Sequence, residues 1–170
     1  GAQRFEGVLA RPPTGAGPGL LIFTAMWGLA PSNTEMAEEY AQRGWCALVP
    51  NMFWRSEFTG RVPFDQADKA WQRLHAFDWE RAVDDARTAA QRLRASEFCT
   101  GKIAAIGFGM GGRTAFLAAS RVGVDAAISL YALGIAERLD EVRKIASPLQ
   151  LHYGLNDEHI PKSEIDAVAE

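Results

Sequence analysis

Residues 102–116 read KIAAIGFGMGGRTAF, and this stretch decides the fold. Residues 102–108 form a near-continuous apolar run, as in a strand buried on both faces. Gly107, Gly109, Gly111 and Gly112 then lead directly into a run of helical habit, residues 112–121. The glycines admit two interpretations. Gly107, Gly109 and Gly112 satisfy G-x-G-x-x-G, the turn that brings a dinucleotide pyrophosphate onto a helix N-terminus. That reading needs an acidic residue ending the next strand, about 20 residues on. Asp125 instead precedes the next strand, residues 126–131, and sits at the wrong end to reach a ribose. The second interpretation is a nucleophile elbow, G-x-Nu-x-G, across residues 107–111. Small residues let the helix leave the strand sharply and lift the central residue above the sheet. Here the central residue is Gly109, which takes the required backbone conformation with little strain and has no side chain with which to attack.

Working outward, the same alternation recurs. Residues 19–24 (GLLIFT) form a buried strand after a Pro/Gly-rich opening. Ser32-Asn33-Thr34-Glu35 fits a capping box that starts a helix, which Gly44 stops. A strand at 45–49 follows, then a loop at 51–63 without a clear period. Ala67, Trp71, Leu74 and Phe77 keep helical spacing, as do Trp79, Val83, Ala86, Ala90 and Leu93 behind Asp78 as N-cap. Further strands are expected at 126–131 and 149–153, with a helix capped by Ser163. Apolar strands alternating with helices predict one α/β domain over residues 1–170, a three-layer α/β/α sandwich with a mainly parallel sheet.

Composition narrows the function classes. The chain has 170 residues with 48% hydrophobic and 23% charged, far from disordered or fibrous proteins. Its net charge of −3 and lack of a basic stripe argue against nucleic acid as a partner. No apolar stretch is long enough to span a membrane. Cys46 and Cys99 make no disulfide framework, so a reducing compartment, the cytoplasm, is expected. No Cys/His cluster or H-E-x-x-H helix is present, and neither metal nor cofactor is expected. Cys46 reads as core packing, Cys99 as an inert thiol and His152 as a core histidine within its strand.

Taken in order along the chain, these segments resemble the dienelactone hydrolase family of α/β-hydrolases. The resemblance rests on Thr24-Ala25-Met26-Trp27-Gly28, on Arg43-Gly44-Trp45 through Pro50 to Phe53-Trp54-Arg55, on Ala76-Phe77-Asp78-Trp79, on Gly107-Phe108-Gly109-Met110-Gly111-Gly112, and on residues 154–161, GLNDEHIP. It implies cleavage of small carboxylate-bearing esters or lactones by a cysteine at the elbow. It places Asp157 at the triad acid, the N–H groups of Met110 and Met26 at the oxyanion, and Arg55, Trp27 and Trp54 against the substrate. Two positions depart from the family pattern. Gly109 stands where the cysteine belongs, and Ala25 where a glutamate couples to that cysteine. The family's triad histidine would fall past Glu170; His159, inside the acid loop, is no substitute. The expectation is therefore a catalytically impaired hydrolase, with a non-catalytic carboxylate-binding or protein-interaction domain as the alternative. An unpaired strand at 149–153 would invite a second copy, so a homodimer or a longer native protein is expected.

Two of these assignments carry an ordinary alternative. Asp157 would serve equally as a loop aspartate bonding its own backbone, and Arg55 as a surface ion pair.

Overall fold

The computed structural model describes residues 6–170. Six strands form one sheet in the order β1-β3-β2-β4-β5-β6. These are β1 (Gly7–Ala10), β2 (Gly17–Phe23), β3 (Cys46–Pro50), β4 (Cys99–Phe108), β5 (Ala126–Leu130) and β6 (Leu149–His152). All pairings are parallel except β1 with β3. The helices are α1 (Pro31–Gln42), α2 (Ala67–His75), α3 (Trp79–Arg94), α4 (Met110–Arg121) and α5 (Lys162–Ala169), with a 3-10 run at Ala136–Lys144.

Alternation along β2 builds two cores. Leu21 and Phe23 pack with Cys46, Ile103 and Ala105 against α3 and α4. Leu20 and Ile22 point the other way, toward Ala37 and Met36 of α1. The alanines of α3, at 82, 86, 89 and 90, let it lie close on the sheet. Asp78 caps α3 as expected, its Oδ1 accepting from the N–H groups of Glu80 and Arg81 at 3.1 Å. Cys46 is fully buried, as expected of a packing residue, and burial pushes its thiol pKa up.

Several local expectations are corrected. The first helix begins at Pro31, whose ring presets the helical φ, so Ser32 lies inside the helix and is not its cap. The reciprocal contact comes from Asn33, whose Oδ1 accepts from the Ala30 N–H at 2.9 Å. Helix α4 starts at Met110, two residues earlier than the glycine run suggests. Strand β4 starts at Cys99, which is half-buried at its outer end. The short antiparallel β1 has no signal in the sequence beyond alternation over four residues. His152 is exposed, because β6 is an edge strand with one covered face, where Leu149 and Leu151 lie; Gln150 and His152 face outward. Among the described residues, no helix is long and apolar enough to cross a membrane.

One buried ionic cluster fastens the helical layer. Glu141, 1% exposed, accepts from Arg121 of α4 and from Lys144, while Arg121 also reaches Glu80 of α3. The Arg121 guanidinium holds the Glu141 carboxyl far below the usual range, at about 2. A carboxylate buried this deeply is tolerable only because both oxygens are paired.

Candidate active site

At the carboxyl end of β4 the chain turns through Gly109 at φ 56°, ψ −119°, and enters α4 at once. The sharpness of this turn explains the surrounding glycines. A Cβ on Gly107 would overlap the Gly111 carbonyl, and one on Gly111 would overlap the carbonyl of Phe23 on β2. A Cβ on Gly112 would lie 2.8 Å from the Leu130 carbonyl oxygen. Gly109 differs from these three. A Cβ there would meet nothing closer than Tyr131 Cε2 at 3.6 Å and the Ala25 Cβ at 3.8 Å, ordinary contacts. Positive φ is the only obstacle to a side chain at 109, and space for one is present. The Gly109 N–H donates to the Leu130 carbonyl at 3.0 Å, which ties the turn to β5. Met110 and Gly111 open α4, where the first N–H groups lack intrahelical acceptors and carry the positive end of the helix dipole.

The residues around Gly109 come from neighbouring strand ends. Ala25 follows β2. Tyr131 follows β5 at φ 42°, the one non-glycine residue at positive φ among those described. Its ring lies 6.2 Å from that of Phe108, and partial burial pushes its phenol pKa up. Nothing in the sequence marked Tyr131, because strain at a strand end is a property of the fold alone.

The first loop is held from behind by Arg73 of α2. This guanidinium, 3% exposed, donates to the carbonyls of Met26, Phe58 and Gly60 and lies 3.7 Å over the Phe53 ring. Desolvation lowers its pKa to about 10. The loop at 51–63 is also stitched to the first loop by the Val62 N–H, which donates to the Trp27 carbonyl at 2.9 Å. Trp27 is half-buried and packs edge-on against Phe64, centroids 4.8 Å apart.

Trp54 and Arg55 form a unit with a partner absent from the sequence-derived site. The Arg55 guanidinium stacks 3.9 Å over the Trp54 ring. Its Nη1 donates to Oδ2 of Asp85 on α3, and the same oxygen accepts from Trp54 Nε1 at 2.9 Å. Arg55 and Asp85, together with Phe53, Arg73 and Phe77, line a cavity of about 460 Å³ whose lining includes none of Trp54, Gly109, Met110, Met26 or Asp157. The structure thus brings Gly109, Met110 and Ala25 together, and sets Arg55 in a cavity that none of them lines. Asp85 was legible in principle: Ala82, Asp85 and Ala89 share the buried face of α3, and an acid on an apolar stripe calls for a partner.

Asp157 lies half-buried in the turn after β6, its Oδ1 accepting from the His159 N–H at 2.8 Å. His159 is exposed and packs edge-on to Trp71 of α2, centroids 5.5 Å apart. Among the described residues, no group of His, Cys, Asp and Glu is placed to hold a metal ion.

Relatives share both sequence and architecture. Carboxymethylenebutenolidase 1 of Cupriavidus pinatubonensis (strain JMP 134 / LMG 1197) is 29% identical over 161 residues, covering 92% of this chain and 68% of that one. The carboxymethylenebutenolidase of Pseudomonas sp. (strain P51) is 29% identical over 166 residues, with 94% and 68% covered. A dienelactone hydrolase-like promiscuous phosphotriesterase from metagenomic libraries superposes with a TM-score of 0.77 at 21% identity, covering 97% of this chain and 75% of that one. The family profile of dienelactone hydrolases matches residues 5–170, and on that match the chain belongs to the dienelactone hydrolase family.

Proposed function

We propose that this chain keeps the ligand-holding frame of a dienelactone hydrolase without its turnover. The observation that carries this reading is Gly109: an elbow in working conformation, φ 56° and ψ −119°, with room for a side chain and none present. In family chemistry a thiolate at this position attacks the ester carbonyl while helix and first-loop N–H groups receive the oxyanion. On the family resemblance Met110 and Met26 supply those donors, Asp157 holds the acid position and Trp27 and Trp54 lie toward the ligand, while Arg55 is available to a carboxylate in the cavity it shares with Asp85. Ala25 provides no carboxylate to couple to a nucleophile. The ligand class is therefore a small carboxylate-bearing ester, lactone or the corresponding acid.

The test is hydrolysis of nitrophenyl esters and dienelactones by pure protein, alongside binding of a small dicarboxylate. Binding without turnover above buffer is expected. Removing a triad nucleophile lowers kcat by about 10⁶ in a well-studied case. Saturable hydrolysis abolished by Asp157→Asn overturns the reading.

A further inference from the structure

Asp85 has no packing reason to be acidic. Its neighbours on the buried face of α3 are Ala82, Ala86 and Ala89, and the residue is 4% exposed. A carboxylate is costly in such a place unless paired. Trp54 and Arg55, adjacent on the loop opposite, both donate to one of its oxygens, Oδ2. Arg55 is the reachable member of the trio: its side chain is 33% exposed against 6% for Asp85, and it stands in the wall of the 460 Å³ cavity. That volume falls in the range of small-molecule sites.

We propose that Asp85 is a built-in rival to a ligand's carboxylate at Arg55, and that it weakens the cavity's hold on carboxylates. The Asp85 charge already offsets the Arg55 charge. An incoming carboxylate must share the guanidinium with Asp85, and two carboxylates on one fork repel each other. Stacking on Trp54 restrains the guanidinium plane, so the fork is held in one orientation beside Asp85. Asparagine at 85 would retain an oxygen for Trp54 Nε1 and Arg55 while removing the negative charge.

The inference rests on the proposed role of Arg55, and calorimetric titration with malonate separates the two. Asp85→Asn is expected to bind malonate on the order of tenfold tighter than the unaltered protein, the size appropriate to a like charge a few ångström away at a partly exposed site. Asp85→Glu, which keeps the charge, gains nothing. The gain disappears in Asp85→Asn combined with Arg55→Met. Should Asp85→Asn not unfold cooperatively, Asp85→Ser carries the same test. Arg55-dependent binding that Asp85→Asn leaves equal or weaker overturns the rival role alone. Binding that Arg55→Met leaves unchanged, or no binding to any variant, overturns both that role and the assignment of Arg55.

Discussion

Alanine placed at each of two glycines two residues apart in the elbow has unequal consequences. At Gly109 the new Cβ finds ordinary contacts at 3.6 and 3.8 Å, so the cost is backbone strain at φ 56°. Strain of this kind amounts to about 1–3 kcal/mol. In a chain of this length about 1 kcal/mol lowers the melting temperature by about 2–4 °C, so Gly109→Ala loses roughly 2–12 °C and still folds. At Gly111 the new Cβ overlaps the Phe23 and Thr24 carbonyls. These are main-chain atoms of β2 and the first loop, which cannot move aside as a side-chain tip would. Parting α4 from β2 takes more than about 4 kcal/mol, the range reserved for severe core damage. Urea unfolding followed by tryptophan fluorescence measures both. Equal destabilisation by the two substitutions refutes the elbow geometry, because only a relaxed turn would treat these positions alike.

Other outcomes follow from the same contacts. Gly109→Cys should fold yet remain far below family activity in ester assays, since Ala25 offers no partner to the thiol. Arg55→Lys should weaken dicarboxylate binding although the charge is kept, because a point charge replaces a planar fork; equal affinities would remove Arg55 from the site. The Glu141 carboxyl is depressed from 4.5 to about 2, so its contribution is complete above pH 4.5 and is lost as pH falls toward 2. Linkage caps that contribution at about 3 kcal/mol, and Glu141→Gln should flatten the acid limb of stability measured by urea titration between pH 5 and pH 2. Arg73→Met strands three carbonyls and should cost about 3 kcal/mol or more, read from the urea midpoint. Light scattering should detect pairing of copies through the β6 edge; a monomer of 18.6 kDa at all concentrations refutes this.

Local composition determined a good deal of this protein. Apolar runs at 19–23, 46–49 and 103–108 read as buried strands because no polar residue alternates with them. Asp78 caps α3 because its side-chain oxygen accepts from two orphan N–H groups of the first turn. Gly107, Gly111 and Gly112 announce a turn too tight for any side chain, and Gly109 at its centre already denies a nucleophile. These are short-range facts, fixed within a few residues by sterics and hydrogen bonding. Tertiary structure decided what long-range contact must supply. Asp85 meets Arg55 across 30 residues of chain, and Arg73 reaches Met26 across 47. Tyr131 faces Gly109 only because β5 pairs with β4 in the register that sets Leu130 beside Phe108. His152 is exposed because its strand lies at the sheet's edge, and a strand's own residues do not say which neighbours it will have. Side-chain partners drawn from distant elements depend on how the layers stack, and that geometry is settled by packing of the whole core.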